Sequence, residues 1–112
     1  MVVCVPVTDD GTIDPRWGRA ARVAIADVRS GAIAGWGIYD VRWDEQHDVA
    51  TEGGHHARVA GFLREHGVEV VVANHMGPPM KHMLDQMRIR VELDASGDAR
   101  AAVLEVSGAR LN

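Results

Sequence analysis

Little in this sequence announces a ready-made chemistry. It has one cysteine, Cys4, so no internal disulfide can form and no pair of thiolates offers a zinc site. Cys4 stands among valines, with no histidine or lysine beside it to lower its pKa. It reads as a small buried apolar residue in a chain from a reducing cytoplasm. Positive charge is not in excess: twelve Lys and Arg against sixteen Asp and Glu leave a formal charge of -4. That is the wrong sign for a phosphate-neutralising surface, and nucleic acid is not an expected partner. No apolar run approaches the roughly 20 residues that span a bilayer, so no membrane association is expected. The opening residues carry no basic stretch, and their apolar run ends at Thr8-Asp9-Asp10, which reads as a first strand rather than a leader. There is no Walker loop, Gly-x-Ser-x-Gly or His-Glu-x-x-His. The serines, Ser30, Ser96 and Ser107, all fall in turns or at helix ends.

What is present is the composition of an ordinary globular chain. Hydrophobic residues make up 46% and charged residues 25% of 112, enough for one core and one domain over 1–112. Val2–Val7 is a short β-branched strand closed by an Asp-Asp-Gly turn. Arg22–Val28 is a second strand and Ala32–Trp43 a third, joined by a Ser30-Gly31 hairpin. Asp44–Glu52 is polar and reads as a loop. From Gly54 to His66 the apolar Val59, Ala60, Phe62 and Leu63 recur at helical spacing, and Gly67 stops the helix. Val68–Ala73 has the near-continuous apolar run of a strand covered on both faces. Gly77-Pro78 opens a helix reaching about Met87. Ile89–Leu93 is a short strand, and Asp98–Val106 is helical, with Ser96 or Asp98 as cap and Gly108 as stop. The order β-β-β-α-β-α-β-α implies an α/β fold with a mixed β-sheet and helices packed on it.

In open α/β sheets, ligands gather beyond the carboxyl ends of the strands, near helix N-termini. Two glycine-bearing segments fit that place. One is Glu52-Gly53-Gly54-His55-His56; the other is Asn74-His75-Met76-Gly77-Pro78-Pro79-Met80. Pro78 and Pro79 lack N–H groups, so the second helix start is a poor cradle for a bare anion. The segments instead carry imidazoles and thioethers, which are ligands for soft or borderline metals. His55, His56 and His75 are the candidate metal ligands, with Met76 and Met80 beside them and His82 one turn on. Neighbouring residues on a helix point about 100° apart, so His55 and His56 are not expected to reach one ion together. A third candidate is the loop Asp14–Arg19, where Arg16 and Arg19 are placed to clamp an oxyanion and Trp17 to wall a pocket.

Each of these features has a plainer reading. Met76, Met80, Met83 and Met87 form a helix face of the kind that usually fills a core. His47 and His82 read as solvated, and His66 suits a helix C-terminus. Trp36 and Trp43, on one strand, are expected to pack on a helix or a second subunit.

Taken together, the strand ending near Pro6-Val7, the Pro-x-x-Gly-Arg-Ala loop (Pro15–Ala20), the Gly53-Gly54 loop, Gly67-Val68-Glu69-Val70-Val71-Val72-Ala73 and the following Met76-Gly77-Pro78 resemble the dinitrogenase iron–molybdenum cofactor biosynthesis family. The resemblance covers roughly residues 1–93, and the segment Gly67–Pro78 is its most specific part. It implies a ribonuclease H-like mixed β-sheet and the binding or carriage of an iron–molybdenum or related metal cluster without catalysis. It also implies a cofactor-assembly or acceptor protein as partner. In the family the loop after the first strand often reads Pro-His-Phe-Gly, its histidine a suspected cluster ligand; here Arg16 and Trp17 stand at the middle positions. The second loop usually has small residues where this chain has Asn74 and His75.

The expectation is therefore a small, non-catalytic carrier of a metal cluster or a single transition metal ion. Arg16, Trp17, Gly53, Gly54, Met76 and Gly77 would surround the cargo, and His55, His56 and His75 would ligate it. The competing expectation is a regulatory or interaction module, a homodimer joined through the Met stripe and Trp36/Trp43, with no bound metal. A two-metal nuclease fits poorly. The first strand offers no carboxylate before Asp9, and Val68–Ala73 carries only Glu69.

Overall fold

The computed structural model describes residues 1–46 and 52–108. In chain order they form β1 (Val2–Val7), a 3-10 turn (Trp17–Arg19), β2 (Arg22–Arg29), β3 (Ala32–Asp40), a short α1 (Trp43–Gln46), α2 (Glu52–Glu65), β4 (Val70–Val72), α3 (Pro78–Gln86), β5 (Arg90–Glu92) and α4 (Ala99–Gly108). The strands make one mixed sheet in the order β3-β2-β1-β4-β5. β1 pairs antiparallel with β2 and parallel with β4, and β3 and β5 are the edges.

The valine-rich strands are buried on both faces, and their period of two sorts the core. Val3, Val5, Val7, Val70 and Val72 meet Ala99, Ala102 and Val103 of α4. Cys4 and Val71 point the other way, toward Val59 and Leu63 of α2 and Met80 and Leu84 of α3. The sheet thus lies between α4 on one side and α2 with α3 on the other.

Pro6 sits in this central strand, where a missing donor is normally excluded. Met1 and Val28 exchange both backbone hydrogen bonds. The odd residues of β1 therefore face β2 and the even ones face β4. The β1–β4 ladder covers Val3 and Cys4, so Pro6 lies past its end and no pairing is lost. The two strands part there. The segment after β1 enters the gap: Asp14 N–H donates to the Pro6 carbonyl at 3.0 Å, and Arg16 pairs in parallel register with His75.

Several boundaries differ from the sequence expectation, each for a local reason. The hairpin is as expected, with Ser30 and Gly31 both left-handed (φ 52° and 76°), the signature of a type I′ turn. β3, however, stops at Asp40 rather than running to Trp43. Arg42 takes φ 53°, and the N–H groups of Arg42 and Trp43 donate to Ala21 and Ala20. Trp43 then begins α1 and turns into the core. The polar stretch after it is helical as far as Gln46; residues 47–51, His47 among them, lie outside the described residues. α2 begins at Glu52, ahead of Gly54. β4 and β5 are shorter than Val68–Ala73 and Ile89–Leu93. The N–H groups of Val68 and Ile89 are taken by Leu63 and Leu84 in the helix C-caps, through left-handed Gly67 and Arg88. α4 starts after Asp98, whose Oδ2 accepts the Ala101 N–H at 2.8 Å.

Candidate functional site

At the carboxyl ends of β1 and β4, three separate stretches of chain close around one cavity of about 300 Å³. It lies where the connections from β1 and β4 leave toward opposite edges of the sheet, the place where α/β folds hold ligands. Arg16, Trp17 and Arg19 come from the strap after β1, His55 and His56 from the first turns of α2, and His75, Met76, Gly77 and Met80 from the entry to α3.

The strap is built from its buried acid outward. Asp14 is buried, and its Oδ1 accepts the Arg16 backbone N–H at 2.9 Å and the Arg16 Nε–H at 3.4 Å. This Asx-type turn holds the guanidinium base while leaving the Arg16 side chain 64% exposed over the cavity. Trp17 is buried edge-on against Trp43, with ring centroids 5.2 Å apart, and Phe62 of α2 packs on Trp43 in turn. The aromatic stack pins the strap to α2.

His55 is buried under the strap; a Cβ on Gly18 would lie 3.5 Å from its Nε2. His56 is half-buried with its ring centroid 6.1 Å from that of His55; both line the same cavity from adjacent positions on α2. The helix begins one turn before them, so the strap can cover one ring while the other stands at the rim. His75 is exposed at the mouth. Met76 and Met80 are buried, and both belong to the core beneath α2 and α3 as well as to the cavity wall.

Of the nine residues singled out from sequence, Arg16, Trp17, His55, His56, His75, Met76 and Gly77 meet here. Gly53 and Gly54 do not line the cavity. They are exposed in the first turn of α2, and a Cβ on Gly53 would meet nothing within 4 Å. Asn74 also turns away: its Nδ2 donates to the Ala95 carbonyl at 3.1 Å and ties the loop to the connection between β5 and α4. His82 is exposed, and Met83 and Met87 pack on the core as the plain reading has it. His66 stacks between Phe62 and Tyr39, at 4.4 and 4.6 Å. Trp43 is buried and Trp36 lies under the Arg100 guanidinium, so the two do not form one surface. The sequence reading passed over Asp14 as a positioning group. Its signal was the acid two residues before Arg16, with a proline between.

The described cavity lining carries two guanidinium groups, three imidazoles and two thioethers, and no carboxylate. Among the described residues, no three of His, Cys, Asp and Glu converge on a point that would hold a metal ion. Cys4 lies outside the site, and complete burial pushes its thiol far above the usual range, which leaves it protonated and inert. Among the described residues, no helix is long and apolar enough to cross a membrane.

No curated protein matches the chain. Three solved structures share its fold over 97% of its length. A protein designated PH0822 has TM-score 0.78 and 18% identity, with 90% of that chain covered. The apo form of the orange protein, ORP, from Desulfovibrio gigas has TM-score 0.77 and 25% identity, with 88% covered. A candidate NifB protein from Thermotoga has TM-score 0.71 and 20% identity, with 89% covered. The model of the dinitrogenase iron–molybdenum cofactor family matches residues 1–108, and this chain belongs to that family.

Proposed function

We propose that the chain is a carrier of an anionic metal–sulfide cluster of the iron–molybdenum kind, held in the cavity between the Asp14–Arg19 strap, α2 and the start of α3. The observation that carries this reading is the convergence of Arg16, Arg19, His55, His56 and His75 on one cavity backed by Met76 and Met80, with no carboxylate lining it among the described residues.

The donor set suits a cluster better than a bare ion. A lone transition metal needs three or four protein ligands, and no such group is present among the described residues. A cluster brings its own sulfide ligands and a net negative charge. It asks the protein for neutralisation, one or two terminal ligands and a polarisable wall. The guanidinium groups of Arg16 and Arg19 supply charge and directed N–H donors. His75 at the mouth and His56 at the rim offer imidazole nitrogen to an exposed metal. Met76 and Met80 present soft sulfur and methyl groups to the sulfide face.

The role that follows is capture and delivery, with no bond made or broken in the cargo. An exposed His75 at the mouth fits release to a cofactor-assembly or acceptor protein. The test is isolation of untagged protein from its native cells without oxygen, followed by its absorption spectrum, metal content and acid-labile sulfide. Molybdenum or iron with sulfide in stoichiometric amount supports the proposal. Material free of both, from cells making the cofactor, refutes it.

A further inference from the structure

Among the described residues β3 is an edge of the sheet, on the side away from β4 and β5, and what that edge can pair with goes beyond the carrier reading. Met1 and Val28 exchange backbone hydrogen bonds, so the even residues of β2 face β1 and its odd residues face β3. β3 pairs Gly35, Gly37 and Tyr39 with Asp27, Ile25 and Val23. The peptide groups of those three are therefore used inside the sheet. Those of Trp36, Ile38 and Asp40 point outward, a row of donors and acceptors with no strand beside it among the described residues.

Edges of this kind are normally guarded by lysine, proline or a bulge. β3 has a bulge opposite Asp27/Val28, near its start, and from Gly35 to Tyr39 it carries neither charge nor proline. Its exposed side chains include Ile38 and Tyr39, at 52% and 38%. Ile38 also walls a groove of about 310 Å³ with Trp36 and Arg100.

We propose that two chains pair antiparallel through β3, about a twofold axis at Gly37, to make one continuous sheet across two protomers. In that register Trp36 and Ile38 of one chain stand opposite Ile38 and Trp36 of its partner, as hydrogen-bonded pairs on the α4 face. Each Ile38 gains an aromatic neighbour. Tyr39 falls opposite Gly35, where there is room for its ring. Asp40, the charged residue of β3, faces Ala34 and not its own copy, so no like charges meet. Gly37 meets Gly37 at the non-hydrogen-bonded position, where strands approach closest. A sequence that satisfies its own edge in this way points to itself as the partner.

The experiment is sedimentation of the full chain across micromolar to millimolar concentration, for the parent and for two variants. Ile38→Pro removes an outward N–H that no bond among the described residues uses. Ile38→Lys leaves the backbone intact and places a charge on the edge. The parent is expected to move from 12.1 kDa to twice that mass. Both variants should stay monomeric while keeping the parent's circular dichroism, and Ile38→Lys covers the case in which Ile38→Pro fails to fold. A parent that remains monomeric at millimolar concentration overturns the proposal. So does a dimer that survives Ile38→Lys.

Discussion

The two faces of the sheet are made of different materials. Under α4 the core is mostly valine and alanine, Val3, Val5, Val28, Val70 and Val72 against Ala99, Ala102 and Val103, with Ile13 beside them. Under α2 and α3 the same alternating strands meet Trp17, Trp43, Met76, Met80 and Leu84. The first face is chiefly aliphatic, with Trp36 at its margin under Arg100. The second runs without a break into the cavity, because Met76 and Met80 are core residues on one side and lining on the other. A site built this way inherits its rigidity from packing. Its buried wall residues, Trp17, His55, Met76 and Met80, are held by the core, while Arg16, Arg19 and His75 are exposed and His56 is half-buried.

That contrast is open to direct attack. The largest effect is expected at the joint between core and site. Trp17→Ala removes a fully buried ring and its edge contact with Trp43, which should cost about 3–5 kcal/mol in a denaturant melt and release the strap that carries Arg16. On the opposite face Val103→Ala removes two buried methyl groups. It should cost about 2 kcal/mol by the same measurement and leave the cavity untouched. If Val103→Ala disturbed cluster binding as much as Trp17→Ala, the division between the faces would be wrong.

A smaller effect should appear with pH. Cys4 keeps its proton in the fold because burial raises its pKa, whereas the unfolded thiol ionises at about pH 8.5. Above that pH the unfolded chain binds fewer protons than the native one, so stability falls as pH rises. The slope from this group is about 1.4 kcal/mol per unit. Stability measured between pH 8 and 10 should lose that component in Cys4→Ala, and native Cys4 should be silent to thiol reagents until the chain unfolds. Smallest of all is the stability change in Arg16→Ala, expected within about 0.5 kcal/mol because the side chain is largely exposed.

How much of this was readable from residues alone follows the range of the forces involved. The valine runs, the Ser30-Gly31 hairpin and the Gly67 stop are local signals, and the elements they mark are present. The glycine-bearing bend before His75 and the Pro15–Arg19 loop were legible as site material because chain chemistry changes abruptly there. Trp43 was misplaced on a strand because its position depends on Arg42 turning left-handed and on Trp17, 26 positions earlier, offering an edge. The presence of both His55 and His56 on one cavity wall, one buried and one at the rim, was equally hidden. It depends on a strap from another part of the chain lying over one ring. Gly53 and Gly54 looked like a ligand loop and are a helix start whose Cβ space, at Gly53, opens to solvent.

The central claim is that the cationic, thioether-backed cavity holds an anionic metal–sulfide species. Its most direct test is an anaerobic titration with tetrathiomolybdate, followed by absorption, of the parent chain, Arg16→Ala, His75→Ala and Val103→Ala. The account predicts saturable binding at one per chain, weakened about tenfold or more in the first two variants and unchanged in the third. Equal affinity in all four, or no saturable binding by the parent, would contradict it.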